Sequence, residues 1–158
     1  MIVEISSART ESHSSDSCIL YFTVEDADGN IVTFMVTPQT YVLDWQTLKT
    51  GMECIFWYCT DAPAVLIYPP QYTAVVAAQA RRDRNVDVSF YDAELVNEER
   101  TLQLKLDTSV ELRTVGNQYF QGNPANHNLV VIYTTSTRSI PAQTTPGKVV
   151  VLCDGNEC

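Results

Sequence analysis

Apolar and polar residues alternate with a period of two along most of this chain, which predicts strands rather than helices. Val3 and Ile5 alternate with Glu4 and Ser6 in an opening strand, Met1 to Ser6. Cys18 to Val24 and Ile31 to Val36 are rich in β-branched and aromatic residues. Between them, Asp26-Ala27-Asp28-Gly29-Asn30 tolerates a left-handed backbone, so the segment predicts a hairpin. Asp26, Asp28 and Asn30 also have the spacing that opens a calcium loop. Glycine falls at the fourth place of that frame instead of the sixth, and no Glu closes it, so the turn reading stands.

Thr40 to Val42 predicts a short strand, and Asp44 to Lys49 a helical turn capped by Asp44 and ended by Gly51. Met52 to Tyr58 is apolar almost throughout, the pattern of a strand buried on both faces. Pro63, Pro69 and Pro70 interrupt regular structure before a strand over Tyr72 to Ala80. Beyond Asp83, strands are expected at Val86–Phe90, Leu102–Leu106, Val110–Leu112, Leu129–Tyr133 and Lys148–Leu152, with turns at Asn97–Arg100 and Gly116–Asn117. Arg9 to Ser17 lacks any period and reads as an exposed loop.

The two halves resemble each other. Pro69 aligns with Pro141, Gln71 with Gln143 and Thr73 with Thr145. Upstream, Phe34-Met35-Val36 aligns with Leu104-Lys105-Leu106, Val42 with Leu112, and Tyr58 with Tyr133. A near-constant offset of about 70 residues marks an internal duplication. The expected architecture is all-β: two tandem OB-like small β-barrels, residues 1–82 and 83–158. One pseudo-symmetric barrel built from both halves is the alternative.

The segments Ile67–Val76 and Arg138–Val150 resemble the ending, and Thr40, Val42, Leu48, Gly51 and Tyr58 the middle, of a β-rich repeat domain of Firmicutes proteins. That domain often stands beside a copper-amine-oxidase-like N-terminal domain. The resemblance implies a bacterial β-domain of OB-like build. It carries over no catalytic residue and no copper chemistry.

Composition narrows the function classes. Apolar residues make up 45% of the chain and charged residues 18%, enough for a packed core. A formal net charge of −9 disfavours nucleic acid as a partner. Arg81, Arg82 and Arg84 form the one dense basic cluster, and Asp83 sits inside it. No stretch is long and apolar enough to insert into a membrane, and no signal peptide is visible. No cofactor is expected. The five cysteines lack a C-x2-C pair, and His13 and His127 lie far apart in sequence, so zinc is not expected either.

Candidate chemistry is sparse. No G-x-S-x-G is present. A Cys59–His127 nucleophile pair and an Asp92–Glu94 carboxylate pair have simpler readings, as strand packing and a polar turn. The sequence therefore points away from an enzyme. It points to a structural or interaction protein, a self-assembling or fibre-forming subunit of an envelope or spore surface. Its partner would be itself or another surface protein. Cys153, Cys158 and Cys18 are candidates for inter-chain disulfides. The alternative is a carbohydrate- or other ligand-binding module, with a ligand face drawn from Trp57, Tyr68, Tyr72 and Tyr133, beside Tyr58 and Tyr91. Pro69, Gln71, Thr73, Pro141, Gln143 and Thr145 read as structural loops of the repeat. The expected location is the cell surface, spore surface or extracellular space, and otherwise the cytoplasm.

Overall fold

A computed structural model describes residues 1–7, 18–62 and 66–153. It divides into two compact units, Met1–Ala80 and a second beginning at Arg81. The expected loop at Arg9–Ser17, and with it His13, Pro63 and Cys158, lie outside the described residues.

In the first unit, β1 (Ile2–Ser7), β2 (Leu20–Glu25) and β3 (Ile31–Val36) form an antiparallel run. The β2–β3 turn is where the sequence placed it. Gly29 has a φ of 82°, and the Asp26 carboxylate accepts from the backbone N–H groups of Asp28 and Asn30 at 2.9 Å each. The Asn30 side chain donates to the same carboxylate, and these bonds hold the Asp26 carboxyl below its ordinary pKa. With the turn fixed, Phe22 must face Phe34.

The long strand β6 (Gln71–Gln79) organises the rest of the unit. Its first half runs parallel to β3, pairing Phe34 with Tyr72. Its second half lies between β4 (Tyr41–Val42), parallel, and β5 (Cys54–Tyr58), antiparallel. Ala74, Ala77 and Ala78 are buried on it, and their small side chains let neighbouring rings approach.

The second unit repeats this pairing at the aligned positions. Strands β7 (Asn85–Tyr91), β10 (His127–Tyr133), β12 (Lys148–Leu152) and β9 (Glu111–Thr114) form one sheet in that order. Strands β8 (Leu102–Leu104) and β11 (Ala142–Thr144) form a second, parallel pair. Leu104 pairs with Thr144 as Phe34 pairs with Tyr72. Leu112 pairs with Val149 as Val42 pairs with Ala77. Val131 pairs with Val149 as Phe56 pairs with Ala77. One further match was not read from the sequence. Gly51 N–H donates to the Ile2 carbonyl, and Asn126 N–H to the Tyr91 carbonyl, both at 2.8 Å. Gly51 and Asn126 both have positive φ, 88° and 59°.

The closed-barrel expectation, in both its two-barrel and single-barrel forms, is corrected by this strand course. The chain is all-β with repeat-like stacking, and it follows a β-solenoid of about three turns. The OB-like assignment falls with the barrel. Closure needs a ring of paired neighbours. Among the described residues the sheet paths are open, running from β1 to β4 in the first unit and from β7 to β9 in the second, and the end strands do not pair with each other. Parallel pairs between strands far apart in sequence (β3–β6, β4–β6, β8–β11, β9–β12) carry the chain forward instead.

Two local expectations also change. Strand β5 is only half-buried, with Ile55 and Tyr58 exposed. The expected helical turn is a three-residue 3-10 turn, Leu43–Trp45, with no side-chain cap. Asp44 lies inside that turn with φ 60° instead of preceding it.

Candidate interaction site

Register alone places a row of rings across the first unit. Phe22 on β2, Phe34 on β3 and Tyr72 on β6 are successive cross-strand partners. Phe56 and Tyr58, two apart on β5, lean on that row. Phe56 stacks on Phe34, 4.7 Å between centroids and 5° between planes. Tyr58 stacks on Tyr72 at 4.3 Å and 26°. Phe34 ties the two pairs together, 5.7 Å from Tyr58 and 6.2 Å from Tyr72. Phe22 anchors the buried end, 6.1 Å from Phe56. The row thus starts in the core and ends at the surface on Tyr58 and Tyr72. Offset and tilted pairs of this kind are each worth about 0.5–1.5 kcal/mol beyond their area. They also hold the outer rings in fixed orientations.

A shift in register adds to this. Trp57 faces Val76 and Tyr58 faces Ala74, so Val75 is the extra residue of a bulge in β6. A bulge re-aims the side chains beside it.

The loop from β5 to β6 joins the strand ends that carry Tyr58 and Tyr72. Among its described residues, Leu66 is 99% and Tyr68 is 86% exposed, and Ile67 is exposed with them. Tyr68 precedes a cis Pro69. The second unit has the same arrangement, with Ile140 95% exposed before a cis Pro141. Single exposed apolar residues are ordinary, whereas Leu66, Ile67 and Tyr68 are three exposed in succession.

The expected ligand face does not form as one surface. Tyr72 and Tyr68 stand near this end of the first unit. Trp57 lies between Phe56 and Tyr58 on β5, so it points to the other face of the strand. Tyr133 and Tyr91 belong to the second unit. There the Tyr91 hydroxyl donates to Asp87 at 2.5 Å, in a network with the buried Asn97. The Asn97 carbonyl accepts from Thr101 and Leu102 N–H, and its amide donates to Thr101 Oγ1 at 2.9 Å. Burial, with Asp87 nearby, pushes the Tyr91 phenol far above its ordinary pKa and raises that of Tyr133 as well. These bonds fasten the turn after β7 and offer no open group.

The repeat residues were expected in loops, but Gln71 and Thr73 lie in β6 and Gln143 in β11, because each sits in a parallel strand pair. Gln71 opens β6 opposite Thr33, and Thr73 lies opposite Met35. Gln143 N–H donates to Thr137 Oγ1 at 2.8 Å, and Thr145 follows β11. Cys153 and Cys18 are exposed. Cys54 is a half-buried thiol whose pKa burial raises. Cys59 is disulfide-bonded, which the reading of it as strand packing missed. His127 Nδ1 lies 2.8 Å from the Ala125 carbonyl and serves the turn before β10. Among the described residues, no group of three or more His, Cys, Asp or Glu is placed to hold a metal ion. No helix among them is long and apolar enough to cross a membrane. No family model, no curated protein and no solved structure matches this chain.

Proposed function

We propose that this chain is a non-catalytic interaction protein that assembles with copies of itself through the aromatic end of the first unit and the matching tip of the second. The observation that carries this reading is the duplicated exposed apolar tip, Leu66-Ile67-Tyr68 in one unit and Ile140 in the other. Aromatic side chains held rigidly lose little freedom on contact, which is why they dominate binding energy at interfaces. Two tips per chain give a valence of two, the minimum for growth into a fibre. A location at the cell or spore surface, or outside the cell, fits the same reading. The disulfide at Cys59 supports it, because disulfides persist in oxidising compartments.

The test is the state of association of the purified protein. Sedimentation equilibrium and negative-stain electron microscopy should show concentration-dependent oligomers or fibres. Tyr68→Ser and Ile140→Ser should each cap growth, and the double variant should be monomeric. A wild-type chain that stays monomeric at every concentration overturns the proposal. Electrophoresis without reductant, on wild type and on Cys153→Ser, separates covalent from non-covalent assembly.

A further inference from the structure

We propose that the Cys59 disulfide is a redox switch on the first unit's exposed tip, and that the second unit's tip is built without one. A dithiol acting on the oxidised chain loosens Leu66-Ile67-Tyr68 and leaves Ile140 as it is. The local effect stands by itself, and its consequence for growth rests on the assembly reading above.

The two tips leave their sheets at aligned places, after Tyr58 in one unit and after Tyr133 in the other. They are secured differently. Hydroxyl groups tie the second. Thr144 Oγ1 donates to the Thr135 carbonyl at 2.6 Å, and Thr137 Oγ1 accepts from the Gln143 N–H at 2.8 Å. The Thr137 N–H donates to the Gln143 carbonyl at 2.9 Å, and Ser139 Oγ donates to the Pro141 carbonyl at 2.9 Å. These bonds bracket Ile140 on both sides. The segment Thr134–Thr144 contains no cysteine, so a reductant finds nothing there to act on.

The first tip has its fastening at the residue that follows Tyr58. Cys59 is disulfide-bonded, and Thr134 stands at the aligned place in the second unit. The Ala62 N–H donates to the Cys59 carbonyl at 3.3 Å, a long bond. The cross-link thus holds the end of β5, the point from which the chain departs toward Leu66. Cys59 is half-buried, so a small dithiol has access to it. Cys54, five residues earlier, is a thiol packed against the core. Burial raises its pKa, which keeps the nearest thiol in sequence from reshuffling the bond.

The reaction is thiol–disulfide exchange. A thiolate of the dithiol attacks one sulfur of the bond. The second thiolate then closes the dithiol into a cyclic disulfide and releases the protein sulfur. The protein gains two electrons and two protons and ends with two thiols, while the dithiol is oxidised. The segment after Tyr58 recovers the freedom that the cross-link removed. Contact must then order it again, at an entropic cost. Growth stops at the first tip while the second tip still pairs, so fibres give way to dimers.

Hydrogen exchange followed by mass spectrometry, on the full chain with and without dithiothreitol, tests the switch. Alkylation of Cys59 by iodoacetamide verifies its reduction. Amide exchange at Cys54–Tyr58 and Leu66–Tyr68 should rise by about tenfold or more on reduction, while Thr135–Thr144 stays as it was. Unchanged protection of Leu129–Tyr133 and Lys148–Leu152 shows that the second unit remains folded. Cys59→Ser should match the reduced wild type, and Thr137→Val should loosen the second tip in both redox states. Sedimentation should show the oxidised chain growing and the reduced chain stopping at dimers. The switch is overturned if exchange around Tyr58 and Tyr68 is the same after Cys59 has become alkylatable, if the second tip opens as much as the first, or if the reduced chain grows as the oxidised one does. An oxidised chain that stays monomeric overturns the assembly reading alone, and the exchange comparison then decides the switch.

Discussion

The two units share one pairing scheme and fill it differently. Where the first has Phe34, Phe56 and Tyr72, the second has Leu104, Val131 and Thr144 at the same register. The second unit packs Leu102, Leu104, Leu129, Val131, Val149 and Val151 around Tyr91 and needs no stack of rings. The scheme therefore does not demand aromatics. The inner rings of the row fill the first unit's core, and its outer rings, Tyr58 and Tyr72, are the part whose use is to be looked for outside the core.

The units also differ in how they treat a buried phenol. Tyr91 donates a hydrogen bond to Asp87, whereas the Tyr41 hydroxyl is buried with no acceptor. One tyrosine is integrated into a polar network and the other is enclosed by apolar burial next to Asp44, which pushes its pKa up to about 12.

Four experiments break or sharpen this comparison. The largest effect belongs to the centre of the row. Phe34→Ala should cost about 3–5 kcal/mol in urea unfolding, while Phe34→Leu, which installs the second unit's residue, should cost no more than about 1.5 kcal/mol. Equal losses would mean that the rings are required by the first unit's packing. Next come the two phenols. Tyr91→Phe should destabilise by about 1.5–3 kcal/mol, because Asp87 loses its short donor. Tyr41→Phe should instead stabilise by up to about 1 kcal/mol, because it removes a buried hydroxyl whose proton finds no acceptor. Thermal melts of the two variants should thus move in opposite directions.

The third experiment is alkaline titration. Both phenols have folded-state pKa values above the ordinary tyrosine value of about 10. Their neutral forms therefore favour folding. That contribution is complete below about pH 10. It should be lost as the pH climbs through about 12 for Tyr41, with Tyr91 holding further. Tyr41→Phe should flatten the first part of the decline in melting temperature. The smallest effect on stability is expected from Tyr72→Thr, which copies Thr144 into the first unit. It should cost about 1 kcal/mol and yet remove most self-association seen by sedimentation.

Local structure was legible in the sequence wherever chemistry was local. The Asp26–Asn30 turn set the β2–β3 register, and that register put Phe22 opposite Phe34. The duplication was legible too, through Pro69 and Pro141. The course of the sheets was not. A period of two says that a segment is a strand. It does not say that Thr33 will lie parallel to Gln71, or Glu111 to Lys148, because parallel partners are distant in sequence and share no turn. The apolar run at β5 was read as doubly buried, yet its tip carries Tyr58 into solvent. Of the candidate site, Tyr68 and Tyr72 were foreseen. Trp45 was assigned to a helical turn, because nothing in Asp44-Trp45-Gln46 announces two left-handed residues in succession.

Strand β6 has a consequence for the order of events at the ribosome. It is the last strand of its unit to be synthesised, and β3, β4 and β5 all pair with it. The β1–β2–β3 run can form early, but β4 and β5 have no lasting partner until Gln71–Gln79 has left the exit tunnel. The first unit should therefore complete its fold in one late step, and truncation before Gln71 should leave a chain that binds chaperones instead of maturing gradually.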